Sequence, residues 1–200
     1  MTHPKISPEL IARAAALSTP ELCDGMEPFR AMHYEIKPLV GDRVVGQAFT
    51  ADLPMGSSKL AARMIDEAGA GDILVLAGRG DCRGSLWGDY KSLCASLKKI
   101  GGVVIDGALR DIAGCREIGL PVFARAVVCG AVKKSDYGAL GVTVSCGGVS
   151  VRPGDLIAGD ANGVVVLPYE EEELAKILDC AEKKKAAQEE KERKLLSAEI

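Results

Sequence analysis

The sequence predicts a single α/β domain in which helices pack outside a partly parallel sheet. Three observations support this class. The 200-residue chain has no Pro-, Gly- or Ser-rich stretch that would divide it into two domains. Its middle alternates short, continuously apolar runs with segments of helical periodicity, which is typical of strand–helix–strand units. Its flanks carry β-branched runs and Gly-Asp turns, which predict a second, mixed or antiparallel layer.

The first third of the chain predicts three helices and a group of strands. In chain order these elements are a helix over 7–17, a helix over 18–25, strands over 35–53 and a helix from Ser57 or Ser58 to Gly69. Ser7 and Pro8 are an N-cap and a first helical residue, and the same pattern recurs at 18–20. Leu60, Met64 and Ile65 fall on one side of the third helix.

The remaining chain predicts alternating strands and helices and then a hairpin. In order these are a strand over 73–77 with a glycine-rich turn, a helix over 86–101, a strand over 103–105, a short helix over 110–119, a strand over 120–127, a kinked strand over 141–152, a hairpin around Asn162-Gly163 and a charged helix over 169–197. Asn-Gly is a strong two-residue turn signal. The domain therefore spans 1–200, with its core over about 19–168.

Composition excludes several classes of function. The net charge of −3 provides no basic field for nucleic acid. No run of eighteen apolar residues predicts a membrane span, and the N-terminus lacks the pattern of a secretory signal, so we expect a cytoplasmic protein. The seven cysteines form no C-x-x-C pair, which argues against zinc and disulfides and favours reduced, mostly buried thiols.

Polar side chains follow two apolar strands that are candidates for parallel neighbours. The strand over 73–77 leads into GRGDCRGSLWGD, and the strand over 103–105 leads into DGALRD. Carboxyl ends of parallel strands border the ligand crevice of an open α/β sheet. The predicted crevice therefore combines the backbone amides of residues 84–88 with the side chains of Asp81, Arg83, Asp89, Asp106, Arg110 and Asp111.

This set suits a small oxo acid. Amides at a glycine-rich helix start can hold a carboxylate, an arginine fork matches carboxylate or enolate oxygens, and nearby carboxylates can hold Mg²⁺ or Mn²⁺. The alternative for the adjacent Arg110 and Asp111 is a local ion pair or cap. Trp87 is expected to pack, His3 to lie in a frayed terminus, and His33 to lack a metal-binding partner.

Three segments carry a resemblance to a known family. The segments GSLWGDY and GGVVIDGALRDIAG, followed by RPGDLIAGDANGVVVLP, resemble the 4-hydroxy-4-methyl-2-oxoglutarate aldolase family, which also contains the regulator of ribonuclease activity A. The resemblance runs from about Thr19 to Pro168. It implies a layered α/β/β, swivelling-domain-like fold, assembled as a homotrimer or homohexamer. It also implies a class II aldolase that splits a 4-hydroxy-2-oxo acid into pyruvate and a second carbonyl compound, often with oxaloacetate decarboxylase activity.

The resemblance also assigns roles to individual residues. Asp111 matches the position of the metal-binding aspartate, Arg110 the substrate arginine, and Asp89 the acidic residue that holds metal-bound waters. The amides that grip the pyruvyl carboxylate fall on the segment from Gly84 to Gly88, which includes Ser85, Leu86 and Trp87. The implied cofactor is Mg²⁺ or Mn²⁺, and the implied partner is a small 2-oxo acid.

Three alternatives stay open on sequence alone. A neighbouring subunit's glutamate also reaches the metal waters in the aldolases, and Glu189, Glu190 and Glu192 are all candidates here. A non-catalytic regulator that docks onto a ribonuclease or helicase is the rival of another class. The intact Arg110-Asp111 pair favours the enzyme, since the regulators lack the metal aspartate. A lyase or hydrolase acting on a different oxo acid at the same metal site is the third reading.

Overall fold

The computed structural model describes residues 3–54, 58–132 and 135–198. The strands are β1 (Lys37–Val40), β2 (Val44–Asp52), β3 (Ile73–Trp87), β4 (Gly102–Leu109), β5 (Val122–Val127), β6 (Ala139–Leu140), β7 (Val144–Cys146), β8 (Val149–Val151), β9 (Leu156–Asp160) and β10 (Gly163–Leu167). The helices are α1 (Pro8–Ala15), α2 (Thr19–Asp24), α3 (Ser58–Glu67), α4 (Asp89–Leu97), α5 (Ile112–Ile118) and α6 (Glu171–Ala198).

The main sheet has the order β1-β5-β4-β3-β2-β9-β10, with β6 paired to β2. Strands β2, β3, β4 and β5 run parallel, and β1, β9 and β10 pair antiparallel at the two ends. The predicted parallel pairing of the strands at 73–77 and 103–105 is therefore confirmed. It brings the carboxyl ends of β3 and β4 together at one edge of the sheet.

Three apolar clusters separate the layers of the molecule. Alternate residues of the parallel strands point to opposite faces. One face packs against α3, α4 and α5, and the other packs against the β7–β8 hairpin and the curled β9–β10 pair. A third cluster lies under α1, α2 and α6, against β9 and β10. The predicted layered α/β/β arrangement of one domain is confirmed, with the terminal helices added outside.

The N-terminal helices form where their capping signals predict them. Helix α1 begins at Pro8, and Ser18 caps α2 in a capping box with Glu21. The segment before them is not frayed, which corrects the expectation for His3. Its ring is buried, and Nε2 lies 3.2 Å from Oδ1 of Asp72. The predicted start of the third helix at Ser57 lies outside the described residues, and α3 is described from Ser58.

The segment after residue 77 is a strand rather than the predicted turn. β3 continues to Trp87, pairing with β4 through three register shifts. Arg79 and Gly80 have positive φ angles of 58° and 72°, which mark a bulge. Gly78 permits this path, because a Cβ there would lie 2.7 Å from the carbonyl oxygen of Asp106. The predicted helix over 86–101 therefore begins only at Asp89.

The C-terminal third contains two hairpins and the long helix. The kinked strand predicted over 141–152 is the β7–β8 hairpin, because Gly147 and Gly148 have the positive φ angles that a two-residue turn requires. The β9–β10 turn lies one residue earlier than predicted, since Gly163 already pairs with Asp160. Helix α6 buries Leu174, Leu178 and Ala181, and exposes most of its second half.

Two further expectations can be checked against the described residues. No helix of the described residues, α6 included, is both long enough and apolar enough to span a membrane. All seven cysteines lie within the described chain, and each has a free thiol. Only Cys115 and Cys146 are fully buried, however, and Cys129 is exposed, so the expectation of mostly buried thiols is wrong.

Candidate active site

A cavity of about 630 Å³ opens where β3 and β4 end, between these strand ends and the helices α3 and α4. The predicted residues that line it are Ser85, Trp87, Gly88, Asp89, Arg110 and Asp111. Asp89 is the first residue of α4, and Arg110 and Asp111 connect β4 to α5. The parallel register thus joins two segments that are about twenty residues apart in sequence.

Asp111 has an unusual backbone conformation. Its φ of 56° and ψ of 41° place it in the left-handed region, which costs a non-glycine residue about 1–3 kcal/mol. It occupies the N-cap position of α5, yet within the described residues its side chain makes no capping hydrogen bond. The carboxylate instead lies 3.0 Å from Nε of Arg110, and both side chains are 44% exposed. This carboxylate therefore remains accessible from the cavity.

A buried hydrogen-bond network fixes the segment that carries the pair. The Trp87 indole donates to the Ser92 hydroxyl (2.8 Å), which in turn contacts the Cys115 sulfur (3.6 Å). The Cys115 thiol donates to the Arg110 carbonyl, and the Arg110 amide donates to the Trp87 carbonyl. Burial raises the pKa of Cys115, which keeps it a neutral donor. Trp87 is 1% exposed, so its predicted packing role is confirmed.

Two glycines allow the acidic side chains to approach the backbone closely. A Cβ at Gly88 would lie 3.2 Å from Oδ2 of Asp111. A Cβ at Gly114, on the first turn of α5, would lie 2.9 Å from Cβ of Asp89 and 3.0 Å from its Oδ2. Glycine is therefore favoured at positions 88 and 114 for a steric reason, because a methyl group at either position would crowd a carboxylate of the cavity.

The predicted amide cradle over 84–88 does not form as a helix start. Gly84 to Trp87 belong to β3, and the Ser85 amide donates to the Gly130 carbonyl at 2.9 Å. The cavity lining formed by described residues includes neither Gly84 nor Leu86. Gly84 packs against Val132, and the Leu86 carbonyl accepts from Lys91. The Ser85 amide is therefore already hydrogen-bonded within the protein, and the substrate-binding roles of Gly84, Ser85, Leu86 and Trp87 stay predictions.

Three acidic or basic residues of the predicted crevice lie elsewhere. Asp81 and Arg83 pair with each other at 2.9 Å on the exposed middle of β3, and Arg83 lowers the pKa of Asp81. Asp106 points to the opposite face of the sheet, where it pairs with Arg125. The reason is strand alternation: Ile105 faces the helices, so the next side chain faces the β7–β8 hairpin.

Sequence reasoning missed the far wall of the cavity. It is formed by side chains of α3 and α4 and the segment after β5, namely Lys59, Ala62, Ile65, Asp66, Tyr90, Lys91, Cys94, Ala131 and Val132. The spacing of 59, 62 and 66 places those residues on one side of α3. The sequence spacing predicts that these residues share one face of α3, but only the tertiary packing shows that this face lines a cavity. Glu189, Glu190 and Glu192 lie on the exposed end of α6 and are not in the described lining.

The donor set at this site fits a hard divalent cation. Mg²⁺ in proteins is commonly held by one or two carboxylates and keeps several waters. Asp111 offers an accessible, uncapped carboxylate, and Asp89 lies on the same cavity wall. Within the described ranges no three His, Cys, Asp or Glu side chains form a metal-binding group. A fully protein-ligated site is therefore not present there, whereas a water-rich site on two carboxylates is compatible with these residues.

Fold and site together define a class: a single-domain α/β protein with an arginine–carboxylate cavity at the carboxyl ends of parallel strands. The family model described as "RraA-like: Aldolase/RraA" matches residues 19–166, and the chain belongs to this family. A protein of Halalkalibacterium halodurans named "Putative 4-hydroxy-4-methyl-2-oxoglutarate aldolase" is 38% identical over 186 residues, or 92% of this chain and 88% of that protein.

Solved structures agree with this membership. The RNA-processing inhibitor RraA from Thermus thermophilis is 29% identical, with a TM-score of 0.71 over 76% of this chain and 93% of its own. RraAS2 of Streptomyces coelicolor, described as an unusual member of the RNase ES inhibitor RraA protein family, is 25% identical. Its TM-score is 0.83 over 96% of this chain and 99% of its own. The relatives thus include proteins named for catalysis and proteins named for inhibition.

Proposed function

We propose that this protein is a divalent-metal-dependent aldolase that cleaves a 4-hydroxy-2-oxo acid to pyruvate and a second carbonyl compound. The observation that carries the proposal is the accessible Arg110–Asp111 pair beside Asp89, held in a strained conformation by a buried network. Strain of this kind persists where the surrounding structure enforces it, as at functional sites. The aldolase name of the 38% identical relative supports the same reading.

In this proposal Asp111 holds Mg²⁺ or Mn²⁺, and Asp89 holds its waters. When bound, the ion polarises the 2-oxo carbonyl group. The Arg110 guanidinium donates hydrogen bonds to the substrate oxygens, on which negative charge grows as the C3–C4 bond breaks. An interaction that strengthens as charge develops lowers the barrier more than it stabilises the bound substrate. Arg110 therefore contributes to turnover as well as binding.

The proton of the 4-hydroxyl group also needs an acceptor. Both histidines lie away from the cavity: His3 contacts Asp72, and His33 contacts Arg125. Asp89 is placed to orient a water that accepts this proton. The electron pair of the broken bond stays with the pyruvyl carbon, which is then protonated to give pyruvate. Loss of CO₂ from oxaloacetate passes through the same charged species, so we expect that side activity as well.

Substitution of the pair tests the proposal. We expect Arg110→Ala to lower kcat/KM for pyruvate release by about 10²–10³-fold, the usual effect of removing a donor to developing charge. We expect Asp111→Asn to lower it as well, because the variant loses the proposed carboxylate ligand of the metal. EDTA should abolish release, and added Mg²⁺ or Mn²⁺ should restore it. Asp81→Asn is the matched control, because Asp81 lies on exposed β3 and contacts Arg83. Wild-type turnover in either test variant contradicts the assigned roles.

The proposal includes assembly as a homo-oligomer, a trimer or a hexamer. Helix α4 exposes Tyr90, Leu93 and Leu97 beside the cavity, at the spacing of one helix face. Contiguous exposed apolar side chains of this kind are typical of interfaces. Light scattering of the purified protein measures the mass directly, and a monomer at micromolar concentration contradicts this part of the proposal.

A second candidate is a non-catalytic regulator that binds a ribonuclease or helicase. The likeness to an RNA-processing inhibitor favours it. The two candidates separate cleanly in one pair of measurements. Tight binding to such a partner without activity on any oxo acid supports the regulator, and metal-dependent pyruvate release supports the enzyme.

A further inference from the structure

The cavity around Arg110 and Asp111 extends into a cleft between α3 and α4. Its volume of about 630 Å³ lies in the range that encloses a drug-sized ligand. A pyruvyl group held by Arg110 and a metal on Asp111 would occupy only the end of this space. The cleft beyond is therefore available to the part of the substrate that leaves as the second carbonyl product.

The cleft wall is predominantly carbon and sulfur. Ala62 and Ile65 line it from α3, Cys94 lines it from α4, and Val132 closes it from the segment after β5. Cys94 and Val132 pack against the main core, and Ile65 is a core residue, so the wall is anchored. The Tyr90 side chain, which is 76% exposed, borders the same cleft. A surface of this composition favours an apolar group.

Among the described residues of the far wall, both lysines are already engaged by protein oxygens. Lys59 pairs with Asp136 at 3.2 Å, and Lys91 donates to the Leu86 carbonyl at 2.8 Å. The third charged residue of the far wall is Asp66, which repels an anion. A carboxylate attached to C4 of the substrate would have to take a lysine from its present acceptor or lose hydration against an apolar wall.

We propose that the substrate carries an uncharged apolar group, alkyl or aryl, on C4, so that the second product is an aldehyde or ketone without a carboxylate. This inference rests on the proposed aldolase function and specifies its substrate class. The C3–C4 bond breaks, the 4-hydroxyl proton passes to the water at Asp89, and C4 becomes the carbonyl carbon of the apolar product. Ala62, Ile65 and Val132 are the residues that select the C4 group.

A substrate series tests the inference on the wild-type holoenzyme with Mg²⁺. Three 4-hydroxy-2-oxo acids share the same pyruvyl half and carry phenyl, methyl or carboxylate on C4. We expect kcat/KM for pyruvate release to fall in that order, with phenyl at least about tenfold above carboxylate, since one methylene in an apolar pocket is worth at least about tenfold. Oxaloacetate decarboxylation is measured alongside, because the carboxylate that leaves is C4 itself and no substituent extends beyond it into the cleft.

Two variants locate the selection. Ala62→Leu narrows the cleft and should lower kcat/KM for the phenyl compound by about tenfold more than it lowers kcat/KM for oxaloacetate decarboxylation. Arg63→Leu is the control, because it adds the same leucine side chain one position further along α3. The Arg63 side chain pairs with Glu67. Circular dichroism verifies that both variants are folded, and the substrate series stands independently of them.

The outcomes separate this inference from the function on which it rests. If oxaloacetate is decarboxylated but the carboxylate compound is cleaved as well as the phenyl compound, the inference is overturned and the aldolase stands. Equal effects of Ala62→Leu on both reactions also overturn it. If neither oxaloacetate nor any compound of the series yields pyruvate, the proposed function fails, and this inference fails with it.

Discussion

Two Arg–Asp pairs lie near the carboxyl end of β4, and they differ in almost every physical respect. One pair joins β4 to β5 on the side of the β7–β8 hairpin, and the other directly follows β4 at the cavity. Arg125 and Asp106 are 14% and 7% exposed, and both Asp106 oxygens accept hydrogen bonds, one from Arg125 and one from the Gly147 amide. Arg110 and Asp111 are both 44% exposed, on a strained backbone. A saturated, buried pair stabilises a fold, whereas an open pair remains available to a ligand.

The difference shows why the chemical identity of a pair is a poor guide to its role. Arg125 also donates to Glu35, so its guanidinium is enclosed by carboxylates. Its hydrogen bonds to Asp106 and Glu35 raise its pKa despite the opposing effect of burial. Within the described part of the chain, Arg110 forms an ion pair only with Asp111, the next residue in the sequence. The first arginine is committed to the protein, and the second can rotate toward a substrate.

The largest expected effect is on stability, from the same substitution made in both pairs. Asp106→Asn replaces one acceptor oxygen with an NH₂ group, which then faces a hydrogen-bond donor of either Arg125 or Gly147. It also removes the negative charge that neutralises the buried Arg125 guanidinium. We expect a loss of about 3 kcal/mol in the free energy of unfolding. Asp111→Asn should cost less than about 1 kcal/mol, because the pair is half exposed and asparagine tolerates the left-handed conformation.

Urea denaturation of the two variants and the wild type measures this contrast. The Asp111 variant serves as the control for the Asp106 variant, since the chemical change is identical. Equal losses in the two variants contradict the division into a structural and an open pair.

The next effect is on activity, and it concerns the spacing of the open site. Gly114→Ala places a methyl group 2.9 Å from Cβ of Asp89, so the carboxylate or helix α5 must move. A displacement near 1 Å at a reacting site costs about a hundredfold in rate. Alanine is also the better helix former, so the unfolding free energy should not fall by a comparable amount.

Steady-state pyruvate release and urea denaturation, measured on the same Gly114→Ala preparation, separate the two consequences. Gly119→Ala is a useful comparison, because a Cβ there meets nothing within 4 Å but is strained by a φ of 76°. It should lower stability and spare turnover. The reverse pattern in the two variants would show that Asp89 is not constrained by Gly114.

A smaller effect follows from the backbone of Asp111. Asp111→Gly removes both the carboxylate and the steric cost of the left-handed conformation. We expect turnover to be lost while the unfolding free energy rises by about 1 kcal/mol, less the conformational entropy that glycine loses on folding. A melting temperature at or above that of the wild type, together with loss of pyruvate release, confirms stored strain. A clear fall in melting temperature contradicts it.

The sequence predicts the parts of the fold that depend on local signals. An N-cap serine followed closely by proline predicts α1 and α2, and apolar runs predict the parallel strands. The register of those strands alone brings Asp89 to Arg110 and Asp111. The long β3 was missed because residues 78–84 have the composition of a turn and become a strand only through pairing with β4. Asp106 was misplaced for a simpler reason, since period-two alternation from Ile105 already places it on the other face.

The smallest expected effect comes from a third pair, which resembles the Asp106 pair in burial but has a titratable cation. His3 and Asp72 are 4% and 6% exposed. The hydrogen bond that His3 donates to Asp72 raises the pKa of His3 against the opposing effect of burial. Burial pushes the pKa of Asp72 upward, but hydrogen bonds from His3 and the Gly69 amide outweigh it and lower the pKa. Lys5, 3.9 Å from Asp72, is the other charge facing the pair.

These directions set the pH window. A raised histidine pKa stabilises the fold fully below the unfolded value of about 6.5 and loses that contribution as pH rises through the folded value. The difference in unfolding free energy between wild type and His3→Gln should therefore be constant from about pH 5 to 6.5 and shrink above it. Urea denaturation from pH 5 to 9 measures it, with His33→Gln, an exposed histidine, as the control. A difference that is flat across pH 5–9 contradicts the charged His3–Asp72 pair and leaves the buried contact as packing alone.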